Sequence, residues 1–419
     1  MGQGAPKAAL AILRRILAYA RKVLKWEDHL DAVGDARPRP QIPGRTIVRA
    51  VVVLFLSRRG SLNALEQTKP SRFWPRWLGG ELPSADSLGR ICALMVVADL
   101  RALFHHVYSR LKRMKALEPP GHGLMLAVVD GHETTASRKR CCPECAQRVV
   151  HTLGGDIVEY YHRYAVLRLV GQHVSWMMDA EPVRPGEDEL ATARRLVERV
   201  LETYPRAFEV VAGDALYANT EWFRFLLTRG KHALAVLKDN RPHLLDDART
   251  LFRALPPSVV GSAGNLQWQY WDSDQLTSWP ELAPQVRVVR SLETRTVRRQ
   301  LDRRAEALTS DWLWVTTLPK AMATTPTVVD LGHDRWTIEN QGFNELVNRW
   351  HADHVYKHHP TALLVFFLFA LLGLNVFLAF YRRNLQPAVR HTSSMLHVGE
   401  LIAAELYAGI RQGPARAPG

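Results

Sequence analysis

Three acidic residues in this sequence sit where a carboxylate is costly unless it has a task. Asp130 closes the apolar run LMLAVV at 124–129, and Asp214 closes the non-polar run VVAG at 210–213. Both runs read as strands buried on both faces, and α/β sheets gather functional groups at the carboxyl ends of such strands. The third acid, Glu339, lies in RWTIENQGFNELVNRW at 335–350. Wound as a helix at about 100° per residue, this stretch collects Thr337, Asn340, Gln341, Asn344, Glu345 and Asn348 on one side. Trp336, Ile338, Phe343, Leu346, Val347 and Trp350 fall on the other, with Arg335 and Glu339 in their midst. An inward carboxylate is unfavourable unless it is paired or holds a metal. Taken singly, Asp130 and Asp214 read as turn residues, and Glu339 as half of an i,i+4 pair with Arg335. Brought together, the three must be protonated or hold divalent cations, and their oxygens suit Mg²⁺ or Mn²⁺. Two such ions about 4 Å apart can activate a water and stabilise the leaving oxygen during in-line attack on a phosphodiester.

A second cluster offers sulfur. CCPEC at 141–145 brings Cys141, Cys142 and Cys145 together, with His132, His151 and His162 nearby in sequence. Structural zinc needs four ligands, and a second Cys-x₂-Cys is missing. A reduced turn of buried thiols is the simpler reading, and a structural Zn²⁺ site the alternative. Tyr160, Tyr161, Trp268, Trp271 and Trp279 could stack on unpaired bases, although sheet packing is the simpler account of them.

The charge balance points to a polyanionic partner, nucleic acid or an anionic membrane surface: 55 basic residues stand against 41 acidic ones, a net charge of +14. Residues 1–60 alone hold twelve Lys and Arg against four acids. Four cysteines in a chain of 419 residues do not make a disulfide framework and suit a reducing compartment. No secretory signal pattern is present at the amino terminus. Residues 362–381 are apolar and long enough to cross a bilayer, and Arg382 and Arg383 follow them. Asn375 within the run, its isolation, and the HHP that precedes it favour a central helix of a soluble domain.

These residues need elements to position them. Residues 1–118 read as helical and basic, a candidate DNA-binding module. A helix over 7–26 carries Leu10, Leu13, Leu17 and Leu24 on one flank, and Ser84 and Asp99 serve as later N-caps. From 119 to 239, strands ending at Asp130 and Asp214 are joined by two further strands and the amphipathic helix GEDELATARRLVERVLETYP. Residues 240–312 read as antiparallel strands, 313–385 as the helical return that carries Glu339, and 386–419 as a short helix and tail.

LAVVDGHETTAS, VVAGDALYANTEWF and DRWTIENQGFNEL, in that order, resemble the three acidic motifs of DDE transposases from bacterial insertion sequences. The likeness spans about residues 120–380 and is nearest to the group with a Tyr-x₂-Arg-x₃-Glu-x₆-Lys signature. It implies an α/β fold: a ribonuclease-H-like mixed sheet with flanking helices, interrupted by a β-rich insertion before the last acid. Here an all-helical N-terminal domain precedes it. The acids lie 84 and 125 residues apart, which leaves room for such an insertion. The resemblance implies Asp130, Asp214 and Glu339 as the catalytic, metal-binding triad and Arg335 as a phosphate-facing residue. It also implies an enzyme that cuts at transposon ends and joins the 3′-OH to target DNA. Such an enzyme would act as a homodimer on DNA, in the cytoplasm with the nucleoid, without membrane attachment. Gly332 stands where the signature has Tyr, and Leu346 where it has Lys. A divergent branch is therefore expected, with Arg349, Lys357, His354 and His358 supplying phosphate contacts and the use of a DNA hairpin left open. A nuclease on the same fold and a catalytically inactive DNA-binding remnant are the alternatives.

Overall fold

The computed structural model describes residues 11–282, 286–298, 304–407 and 410. Its first part is helical: α1 (Ile12–Tyr19), α2 (Glu27–Asp31), α3 (Gly44–Leu56), α4 (Leu62–Glu66), α5 (Phe73–Leu78), α6 (Ala85–Cys92) and α7 (Val97–Arg113). Leu13, Leu17 and Leu24 of the expected apolar flank are buried, while Leu10 lies outside the described residues. Ser84 caps α6 by accepting from the Ser87 N–H. Asp99 does not cap α7, which starts two residues earlier; its carboxylate accepts from the Gly34 N–H at 3.0 Å and ties the helix to an earlier loop.

Strands β1 (Leu126–Ser137), β2 (Ala146–Thr152), β3 (Gly155–Val170) and β4 (Trp176–Pro182) follow, then α8 (Glu189–Thr203), β5 (Val210–Gly213), α9 (Thr220–Leu227) and β6 (His232–Val236). After α10 (Pro242–Ala254) come β7 (Val259–Ala263), β8 (Leu266–Ser273), β9 (Arg287–Arg298) and β10 (Ala305–Thr316). Among the described residues these strands make one sheet, ordered β2-β3-β1-β5-β6-β10-β9-β8-β7, with β4 on the other half of β3. β1, β5 and β6 are parallel, β3 runs antiparallel to β1, and β4 runs antiparallel to β3. Helices α8 and α9 connect the parallel strands, as parallel pairing demands. This mixed sheet agrees with the ribonuclease-H-like expectation. The strands foreseen within 240–312 extend it: only Trp314–Thr316 of β10 pair with β6, and the rest of β10 leads outward to β9, β8 and β7.

The chain closes with α11 (Thr325–Asp334), a π-helical turn (Ile338–Phe343), α12 (Asn344–Trp350), α13 (Pro360–Arg383), α14 (Pro387–Thr392) and α15 (Met395–Tyr407). α13 is the one described helix long and apolar enough to cross a membrane, and 89% of its most apolar window is buried inside the protein. It packs between α3 and edge strand β4. Asn375, the polar residue in its middle, accepts from the Met177 N–H and donates to the Met177 carbonyl, both at 2.8 Å. A buried amide thus satisfies edge-strand backbone that would otherwise lack partners. The N-terminal helices and the sheet share this helix and one continuous hydrophobic core. A buried ion network reinforces the junction: Arg101 of α7 and Arg195 and Arg199 of α8 surround Asp179 and Glu181 of β4.

Candidate active site

The parallel ladder sets two of the acids side by side. β1 and β5 pair from Leu126↔Val210 to Val128↔Ala212. Asp130 and Asp214 each lie two residues beyond that last pair, on adjoining strands that sit about 4.8 Å apart while paired. The setting of Asp130 differs from the expected strand end, because β1 continues to Ser137 against β3, with Asp130 opposite Val166. Only the parallel partner stops. At that point β5 ends, and Asp214 accepts from the Leu216 N–H at 2.9 Å, capping the short 3₁₀ turn Ala215–Tyr217.

Glu339 approaches from the other side on the π turn, which departs from the regular helix expected over 335–350. Such turns recur at functional sites. Ile338, Phe343, Leu346 and Trp350 are buried as foreseen, whereas Trp336 is exposed. Glu339 is not enclosed by apolar groups: its side chain is 39% exposed. Arg335 is the buried partner, donating to Glu339 at 2.9 Å while its guanidinium lies over the Trp336 ring.

The acids act on one another electrically. Burial, then the charges of Asp214 and Glu189, push the Asp130 carboxyl up to about 7; Glu339 adds to the rise, and the Gly131 N–H, at 2.8 Å, opposes it. Glu189, in the first turn of α8, is a fourth acid that the sequence pattern did not single out. Its carboxylate lies against Gly131, where any Cβ would overlap it, and it accepts from the Tyr217 hydroxyl at 3.0 Å. Burial raises its carboxyl as well, with Asp214 adding to the rise, while Tyr217 and Arg163 hold it down. An acid at a helix start ordinarily reads as dipole compensation, so its sequence signal was ambiguous. All four are oxygen donors, the type a hard divalent cation takes, but among the described residues their oxygens do not converge as the Cys/His donors below do.

The residues expected to grip phosphate have separate settings. Arg335 is buried at the acids, whereas Arg349 is exposed on α12. Lys357 lies half-buried with its stem near Gly89 of α6. The two departures from the signature are core positions here. A Cβ on Gly332 would overlap the Trp314 indole, and Leu346 is fully buried. A tyrosine or a lysine has no room at these points.

The cysteines also depart from expectation. Cys141 is exposed, and the compact group is Cys142, Cys145, His162 and His358. His132 instead stacks on Phe343 and Phe367, and His151 pairs with Asp156 on the hairpin.

Residues 183–376, which include Glu189, Asp214, Arg335 and Glu339, match the family described as Transposase DDE domain. This match supports an insertion-sequence DDE transposase. Transposases of this family are metal-dependent DNA-cleaving enzymes that generally use divalent ions such as Mg²⁺, and DNA is their partner. No curated protein matches the sequence significantly. Asp130 precedes the matched residues, so the register between β1 and β5 carries its inclusion.

Proposed function

We propose that this transposase cuts DNA at transposon ends and joins the freed 3′-OH to target DNA. In this reading Asp130, Asp214 and Glu339 hold Mg²⁺ or Mn²⁺, and Glu189 lies beside them as a further carboxylate. The observation that carries the reading is the β1–β5 register, which sets Asp130 and Asp214 side by side next to Glu339 within a transposase DDE fold. The donor type fits the cation: all the groups are oxygens, and burial, then the neighbouring carboxylates, raises the Asp130 carboxyl, a rise that a bound cation would oppose. Divalent ions bound there would supply Lewis-acid stabilisation of the phosphoryl oxygens and a water activated for attack.

The protein's own groups do the positioning. Arg335, braced by Trp336, fixes the carboxylate of Glu339. Tyr217 and Arg163 orient Glu189. Arg349 and Lys357 contact the DNA backbone. The helical residues up to 118 contribute further affinity, and β7–β10 correspond to the β-rich insertion of the family. Two copies act on a pair of ends, and the enzyme works in the cytoplasm on the nucleoid.

Incubating purified protein with labelled transposon-end duplexes, a target plasmid and Mg²⁺ tests this. Cleaved ends covalently joined to the target support the reading. Cleavage without joining would point to a nuclease, and binding without either product to an inactive remnant.

A further inference from the structure

The Cys/His cluster is assembled from three distant stretches. Cys142 and Cys145 come from the loop between β1 and β2, His162 from β3, and His358 from the segment joining α12 to α13. One donor atom of each lies within 4.8 Å of all the others. The two sulfurs are 3.6 Å apart and unbonded. His162 Nε2 stands 3.4 Å from the Cys142 sulfur and 3.2 Å from that of Cys145, and His358 Nε2 is 3.4 Å from the Cys145 sulfur.

These four separations match edges of a tetrahedron, and the other two pairs, Cys142–His358 and His162–His358, lie within 4.8 Å. Zinc–sulfur bonds of about 2.3 Å and zinc–nitrogen bonds of about 2.0–2.1 Å span edges of roughly 3.3–3.8 Å in that geometry. The Glu144 and Cys145 N–H groups are directed at the Cys142 sulfur, and the Cys142 N–H donates to the Cys145 sulfur at 3.2 Å. Cys145 and His162 are each only 6% exposed, so water is largely kept out.

We infer that Cys142, Cys145, His162 and His358 form a structural zinc site that fastens the 351–359 segment to β3 and the β1–β2 loop. Two thiolates and two imidazoles in a tetrahedron select Zn²⁺ over the hard cations that suit carboxylates. Four protein ligands leave no open position, the mark of a structural site rather than a catalytic one. The site joins elements on both sides of the acids: β1 carries Asp130, and His358 follows Glu339 by nineteen residues. The inference stands on the geometry of these four residues and is independent of the carboxylate assignment.

The test uses the full-length protein, purified under reducing conditions without chelator. Elemental analysis should find about one zinc per chain. After metal removal, Co²⁺ should restore the visible absorption of tetrahedral, thiolate-ligated cobalt. Cys142→Ser and His358→Ala should retain less than about a tenth of the zinc, while Cys141→Ser should retain all of it. If a variant fails to fold, the cobalt spectrum of the unaltered chain still decides. Wild-type protein without zinc and without that spectrum would overturn the inference, as would full zinc retention in both His358→Ala and Cys142→Ser.

Discussion

The carboxylate group and the Cys/His group are both built from segments far apart in sequence, yet they are finished differently. At the acids, Asp130, Asp214, Glu189 and Glu339 are all partly exposed and are drawn from within β1, the end of β5, the start of α8 and a π turn. Around Cys145, four donors converge within 4.8 Å and two of the residues are buried. The open arrangement leaves coordination positions for substrate, and the closed one leaves none. Oxygen donors in a partly solvated setting bind metal weakly and exchangeably, whereas thiolate and imidazole donors bind it as part of the fold. On the two proposed assignments, the same chain would separate metal for chemistry from metal for architecture by donor type and by closure.

The largest effect should come from removing charge in the open site. Asp130→Asn, Asp214→Asn and Glu339→Gln should each lower cleavage and joining by a factor on the order of 10³ or more, with the double variants no worse than the singles. Thermal unfolding and DNA binding should stay near wild type, because these groups repel one another when no metal is present. Retained strand transfer in any folded single variant would remove that residue from the site. Metal removal should separate the two regions in the same way. EDTA at low concentration should stop the reaction with Tm unchanged and Mg²⁺ should restore it, whereas stripping the thiolate-bound metal should lower Tm by several degrees. Identical responses of activity and Tm to both treatments would erase the contrast.

Restoring the family signature should harm the fold. Leu346→Lys would bury an unpaired ammonium and cost about 3 kcal/mol or more, and Gly332→Tyr would collide with Trp314 and cost roughly 1–3 kcal/mol. Denaturant titration measures both. A neutral outcome for Leu346→Lys would mean that α12 can turn this face to solvent.

How much of this was legible in the sequence depended on the range over which each feature is determined. Asp130 and Asp214 stand out because an apolar run ending in an acid is a local pattern, and strand pairing then needs only the usual parallel register. Glu339 was expected among apolar groups, but its side chain is 39% exposed, and how the π turn that carries it packs is not announced by any pattern in IENQGF. His358 lies 213 residues from Cys145, so the last ligands of the sulfur cluster became visible only through the packing of the 351–359 segment on β3. The buried Asn375 was the more readable case. An amide in the middle of a uniformly apolar helix needs a partner, and the edge strand supplies it.

The ion network joining α7 and α8 to β4 gives a pH signature unrelated to either metal region. Burial pushes the Glu181 carboxyl up, but Arg199, Arg195 and Arg101 outweigh it and hold it below the ordinary carboxylate range. A carboxyl lowered by folding adds stability that is complete above its unfolded pKa, about 4.3, and is lost as pH falls through the folded value. Stability should therefore fall below about pH 4.5. Arg199→Ala should lower stability at neutral pH by about 3 kcal/mol and shrink the acid-dependent part of the curve. An unchanged acid limb in that variant would assign the loss to other groups.

The smallest predicted effect separates two arginines that sequence alone assigned to the same task. Arg335 is buried against Glu339, and Arg349 is exposed one helix further on. A phosphate contact releases condensed counter-ions, so losing one reduces the slope of log K against log salt by about 1 and weakens binding on all sequences alike. Arg349→Ala should do this, lowering affinity several-fold at moderate salt with little change in Tm. Arg335→Ala should leave the salt slope unchanged, because its guanidinium meets a carboxylate and not solvent. It should instead reduce the cleavage rate by releasing Glu339, and Arg335→Lys should rescue only part of that loss, since an ammonium cannot reproduce the planar contact with Trp336. Equal slopes for wild type and Arg349→Ala, with a reduced slope for Arg335→Ala, would reverse the two roles and require Arg335 to leave its buried position when DNA binds.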